Sequence, residues 1–104
     1  MDPQSDERRL VAILSADAVE YSRLMAEDEA ATVRTLTAYR AEITQLVGQH
    51  RGRVVDAPGD NLLAEFPSAL DASRCAVEVQ RVLAARNADL PEERKMDFRI
   101  GVHL

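Results

Sequence analysis

The stretch Arg53-Val54-Val55-Asp56-Ala57-Pro58-Gly59-Asp60-Asn61-Leu62-Leu63-Ala64-Glu65-Phe66 decides the fold of this chain. Arg53–Ala57 reads as a strand, Pro58-Gly59-Asp60-Asn61 is a cluster of turn formers, and Leu62–Phe66 is a returning apolar segment, so the whole predicts a β-hairpin. Upstream, Val33, Leu36, Ile43, Leu46 and Val47 recur at helical spacing behind the acids Glu27, Asp28 and Glu29, which favours an amphipathic helix from about Asp28 to Gln49. Gly48 and Gly52 bracket its end. Before it, Leu10-Val11-Ala12-Ile13-Leu14-Ser15-Ala16 has the length of a strand and the composition of one buried on both faces, ending at Asp17. Ala18–Ser22 is too short for another element, and Arg23-Leu24-Met25 starts no more than a helical turn. Downstream, Ser68-Ala69-Leu70-Asp71 has the form of a capping box, and Ala72, Cys75, Ala76, Val79, Val82 and Leu83 make one apolar face of a helix running to about Asn87. After a charged loop around Pro91, Met96, Phe98, Ile100 and Val102 alternate with Asp97, Arg99, Gly101 and His103 as a final strand.

The order β-α-β-β-α-β predicts an α+β, ferredoxin-like fold: a four-stranded antiparallel sheet with its helices on one face and the first and third strands at its centre. Antiparallel pairing then sets the end of the first strand beside the start of the third. Asp17 and Asp60, far apart in sequence, are brought to one end of one sheet. Two carboxylates so placed are either solvated or neutralised by a cation. Spacing alone favours local roles, Asp17 as a cap for the next helical turn and Asp60 as a turn residue. A Mg²⁺-type ion held by one or two carboxylates and substrate phosphates is the alternative.

Composition bounds the rest. The chain has 104 residues, a net charge of −5, 46% hydrophobic residues, two Tyr, two Phe and no Trp. An acidic, aromatic-poor chain speaks against nucleic-acid binding. No apolar run approaches the roughly 20 residues of a membrane span, so no membrane insertion is expected. One cysteine, Cys75, allows no internal disulfide and, with only two histidines, no thiolate–imidazole zinc site. The polar start lacks a signal-peptide core, so a cytoplasmic location is expected. The organisation expected is a flexible segment, 1–7, followed by one domain, 8–104.

Ala12–Met25 resembles the first metal motif of the class III adenylyl/guanylyl cyclases, a strand-ending Asp followed by a short loop with an aromatic–hydroxyl pair. Gly59-Asp60 with Asn61–Phe66 resembles the second, and Asp71–Gln80 and Phe98–Leu104 fit the helix and strand that follow there. The match runs in order over about residues 8–104. The resemblance implies that Asp17, Asp60 and the backbone carbonyl of Ala18 hold two divalent cations, Mg²⁺ or Mn²⁺, one activating the ribose 3′-hydroxyl of a nucleoside triphosphate and the other neutralising the departing pyrophosphate. It implies a triphosphate cradle of backbone N–H groups over Val19, Glu20, Tyr21 and Ser22. Glu20 departs from the glycine common at that position; its side chain is expected to point away from the phosphates. Asp56 stands where adenylyl cyclases usually carry lysine and guanylyl cyclases an acid, which speaks against ordinary ATP selection and fits GTP. Asp56 also reads as a solvated strand residue, or as a partner for Arg53.

In this family the site forms between two domains, as a homodimer or with a complete cyclase domain, and the partner supplies a second base-reading residue and an Asn/Arg pair. Those residues follow the last strand seen here, so the 104 residues alone are expected to turn over negligibly. A non-catalytic cyclase-homology module that dimerises or regulates is the competing reading. A polymerase-palm or diguanylate cyclase relative ranks below both, because Pro58-Gly59-Asp60-Asn61 lacks the paired glycines and acids of those hairpins. Cys75 reads as a buried small hydrophobe, His103 as a structural strand residue, and His50, Arg51 and Arg53 as a solvated helix end.

Overall fold

The structure is a computed structural model and describes residues 11–104. The segment 1–7 and Leu10 lie outside the described residues. The elements are β1 (Ala12–Ala18), α1 (Tyr21–Glu27), α2 (Glu29–Gln49), β2 (Arg53–Asp56), β3 (Leu62–Phe66), α3 (Ala69–Asn87), a 3₁₀ turn at Glu92–Arg94 and β4 (Phe98–His103). The four strands form one antiparallel sheet in the order β2-β3-β1-β4, as the hairpin-centred reading requires.

Ala12, Leu14, Ala16 and Ala18 of β1 and Leu62, Ala64 and Phe66 of β3 are buried, and the residues between them are half-exposed. The expectation that β1 is buried on both faces is therefore corrected: α2 and α3 pack on one face only, with Ile43, Val47, Val79 and Leu83 completing the core there. β1 also runs past Ala16, because β4 supplies partners for two more residues, Arg99 for Asp17 and Phe98 for Ala18.

Three other boundaries differ from expectation for tertiary reasons. α1 exists as a helix of seven residues, not a bare turn, pinned by the buried Leu24 and by its last carbonyls. The Thr32 hydroxyl donates to Leu24 O at 2.8 Å, and Arg94 Nη2 donates to Thr32 Oγ1 at 2.5 Å. β4 starts at Phe98 instead of Met96, because the buried Asn87 side chain occupies both backbone groups of Met96: it accepts from Met96 N and donates to Met96 O, each at 3.0 Å. At its other end β4 stops at His103, one residue short of the last.

Both long helices start on side-chain caps, the predicted one at Ser68 and another at Asp28, which the sequence marks only as an acid near the helix start. Asp28 Oδ1 accepts from Ala31 N at 3.0 Å, and Ser68 Oγ accepts from Asp71 N at 3.1 Å. Gly52 is required by close approach, since a Cβ there would lie 2.5 Å from the Phe66 ring. Cys75 is fully buried, and that desolvation, with a smaller contribution from Glu78, pushes its thiol up to about 11. Among the described residues no helix is long and apolar enough to cross a membrane.

Candidate functional site

Asp60 lies in the tight turn between β2 and β3. Asn61 N donates to Pro58 O at 2.8 Å, and Gly59 takes φ 57°, a left-handed value that glycine adopts without steric cost. From this turn the Asp60 carboxylate reaches β1: its Oδ2 accepts from Ala18 N at 3.1 Å, across 42 positions of sequence. Asp17, the preceding residue of β1, stands opposite Arg99 of β4, and Arg99 Nη2 donates to Asp17 Oδ2 at 2.6 Å. Asp17 does not cap α1, whose N-cap is Glu20 with no side-chain cap bond. The hydrogen bond and charge of Asp17, and less strongly the charge of Asp60, raise the Arg99 pKa above its ordinary value. One guanidinium thus senses both carboxylates. A cleft of about 280 Å³, lined by Ser15, Ala16, Asp17, Pro58, Asn61, Leu62 and Leu63, opens beside them.

The β1–α1 loop differs in part from the expected cradle. Val19 N donates to Asp97 O at 2.8 Å and so extends the β1–β4 pairing, which leaves no free N–H at Val19. Glu20 takes φ 56°, a left-handed conformation that explains why glycine is the easier residue there. Its carboxylate accepts from Arg23 Nε at 2.6 Å, and Arg23 Nη1 donates onward to Glu27 at 3.0 Å. The side chain is thereby directed along α1. The N–H groups of Glu20, Tyr21 and Ser22 belong to a helix start, where no intrahelical acceptor exists. Tyr21 packs its ring against the core, and Ser22 is exposed.

Asp56, the last residue of β2, pairs with Leu63 past an irregularity in the β2–β3 register. It is exposed, and its Oδ1 accepts from Ala57 N at 2.9 Å. The pairing with Arg53 does not form: Arg53 Nε and Nη2 both bond Glu65 Oε2, at 2.7 Å, across β2 and β3.

The donor set fits a hard divalent cation. Two carboxylates, one on β1 and one in the β2–β3 turn, lie at one sheet end, each with one oxygen outside the bonds just described. Among the described residues no three His, Cys, Asp or Glu side chains converge. Two carboxylates with free oxygens are a donor set of the kind that an ion such as Mg²⁺ or Mn²⁺ accepts, since it keeps waters and takes further oxygens from phosphates. Two residues at this site went unnoticed in the sequence. Arg99 lay in plain view as an outward position of the last strand, and only the strand register sets it against Asp17. Arg40 of α2, which bonds the hairpin turn, carried no signal beyond its charge.

No family model matches the chain. "Putative adenylate cyclase 3" of Rhizobium meliloti (strain 1021) is 50% identical over 105 residues, covering 100% of this chain and 18% of that protein. The adenylate/guanylate cyclase/hydrolase from Silicibacter pomeroyi superposes with a TM-score of 0.80 at 39% identity, over 90% of this chain and 55% of that one. A bacterial light-regulated adenylyl cyclase shares the fold, with a TM-score of 0.81 at 18% identity, over 88% of this chain and 29% of that one. The architecture is that of a nucleotide cyclase domain. The chain belongs to the class III adenylyl/guanylyl cyclases, as part of a catalytic domain, and it spans little more than half of the solved relative from Silicibacter pomeroyi.

Proposed function

We propose that these residues form the carboxylate half of a nucleotide cyclase site, which converts a nucleoside triphosphate to a 3′,5′-cyclic nucleotide and pyrophosphate when a second cyclase domain completes it. The observation that carries this reading is the bond from Ala18 N to Asp60 Oδ2, which holds the turn aspartate at the strand end that bears Asp17.

Asp17, Asp60 and the Ala18 carbonyl would hold the divalent cations, Mg²⁺ or Mn²⁺. When bound, such ions lower the pKa of the ribose 3′-hydroxyl and neutralise charge on the leaving pyrophosphate. The 3′-oxygen attacks the α-phosphorus in line, the bond from that phosphorus to the bridging oxygen of pyrophosphate breaks, and the hydroxyl proton passes to solvent. The N–H groups of Glu20, Tyr21 and Ser22 donate to triphosphate oxygens, and the fixed Glu20–Arg23 pair keeps the Glu20 carboxylate off them. Asp56 offers an acceptor, which suits the N–H edge of guanine better than the edge of adenine. The partner is a second copy of this chain or a longer cyclase domain; the latter restores turnover, because the groups that steady the transition state come from the second domain.

Titration with Mn²⁺ and a non-hydrolysable triphosphate analogue tests the site. Asp17→Asn and Asp60→Asn are each expected to abolish or strongly weaken cation-dependent binding without unfolding the chain. Unchanged binding in both variants rejects the site. The 104 residues by themselves are expected to give negligible cyclic nucleotide, with activity appearing on mixing with a complete cyclase domain; brisk turnover by the pure chain contradicts the two-domain reading.

A further inference from the structure

The turn that carries Asp60 lies outside the sheet ladder. The β2–β3 pairing ends at Asp56 and Leu63, so residues 57–61 have no strand partner. Gly59, within the turn, adds backbone freedom that works against a single placement of its neighbour. What fixes the segment is a side chain of α2. Arg40 Nη1 donates to Gly59 O at 2.7 Å, and Arg40 Nη2 donates to Ala57 O at 2.6 Å and to Asn61 O at 3.1 Å. The three acceptors alternate along the chain, so the carbonyls of residues 57, 59 and 61 converge on α2. Pro58 O is used separately, by Asn61 N at 2.8 Å. Asp60 sits between two of the clamped carbonyls, and its carboxylate is on Ala18 N.

Guanidinium suits this task for a geometric reason. Its planar fork presents donors in fixed directions to several acceptors at once, whereas a lysine ammonium is a compact point charge on a flexible stem. We propose that Arg40 is a positioning residue for Asp60: by gathering the carbonyls of Ala57, Gly59 and Asn61 it holds the turn so that the Asp60 carboxylate stays on Ala18 N beside Asp17, ready for a divalent cation. The proposal rests on the reading of Asp17 and Asp60 as cation ligands. The bonds of Arg40 go to the backbone on either side of Asp60, not to a carboxylate, and it acts through that backbone.

The test uses Mn²⁺ alone, the 104-residue chain, and three variants, Arg40→Ala, Arg40→Lys and Asp60→Ala, each followed by amide NMR and thermal unfolding. In metal-free Arg40→Ala the Ala18 amide resonance is expected to shift as its bond to Asp60 is lost, while the amides of Leu14 and Ala16 in the same strand stay in place. Mn²⁺ affinity is expected to fall about tenfold or more, the usual scale for groups that orient a ligand. Arg40→Lys, which keeps the charge and loses the fork, is expected to fall short of native affinity with a shifted Ala18 resonance. Should Arg40→Ala fail to fold, Arg40→Lys carries the same two readouts. Native Mn²⁺ affinity and a native Ala18 resonance in the folded Arg40 variants, with binding lost in Asp60→Ala, overturn the positioning role and leave the carboxylate site standing. Native affinity in Asp60→Ala overturns the carboxylate reading and this proposal with it.

Discussion

Arg99 is the side-chain partner of Asp17 at the sheet end that also carries Asp60. The Arg99 guanidinium bonds Asp17 at 2.6 Å and places a positive charge beside the carboxylates at this end of the sheet. The Arg99 side chain is 71% exposed, so this partner is held loosely and screened by solvent. On the proposed function, a divalent cation on Asp17 competes with it directly. Arg99→Ala is therefore expected to tighten binding of Mn²⁺ alone by a few-fold, read by titration at low ionic strength, and the difference is expected to shrink as salt is added. Weaker Mn²⁺ binding in that variant contradicts competition and assigns Arg99 a supporting role instead. The sequence displayed Asp17, Asp60 and Arg99 equally plainly. It paired the first two through topology, but the third needs a register that no local pattern specifies.

At the scale of elements, the joints between helices and strands hold the site end in shape. Asn87, the last residue of α3, is buried with all its capacity used: Oδ1 accepts from Tyr39 Oη at 2.6 Å and from Met96 N, and Nδ2 donates to Met96 O and to Asp97 Oδ1. Two helices and the segment leading into β4 meet on this one amide, and Val19, at the start of the β1–α1 loop, is tied to Asp97 in that segment. Asn87→Ala leaves a phenol and two backbone groups buried without partners. Its expected cost is about 3 kcal/mol, from roughly 1–3 kcal/mol per unsatisfied group with partial relaxation, which corresponds to a fall in Tm on the order of 15 °C. Thermal unfolding followed by circular dichroism checks this; a fall of a degree or two contradicts it. The sequence marks Asn87 only as a polar residue near a helix end. Its role is invisible there because the partners Tyr39 and Met96 come from elsewhere in the chain.

For the molecule as a whole, stability depends on a one-sided core that keeps its acidic hydrogens out of water. Cys75 is pushed up to about 11 by burial, and the Tyr39 phenol is also raised, chiefly by burial. Both ionise earlier in the unfolded chain, which above pH 9 binds fewer protons than the folded one, so stability falls as pH rises from about 9 towards 11. These two groups contribute no pH dependence at neutrality. Denaturant unfolding at pH 7, 9 and 10.5 checks the sign, and Cys75→Ala removes part of the alkaline loss. The native thiol is also expected to resist aromatic disulfide reagents at pH 8 and to react once the chain is unfolded.

The sequence by itself determined the order of elements, the hairpin turn, the Ser68 cap of α3 and the placing of Asp17 and Asp60 at one sheet end. These follow from periodicity, turn chemistry and the connection rules of antiparallel sheets, all of which act over short stretches or through topology. Only the tertiary structure decided that β1 is buried on one face, that Val19 is committed to β4, that Arg99 faces Asp17, and that Arg40 grips the turn of Asp60. Each of these depends on register and on side chains reaching between elements, where a shift of one residue would exchange the partners and leave the local pattern unchanged.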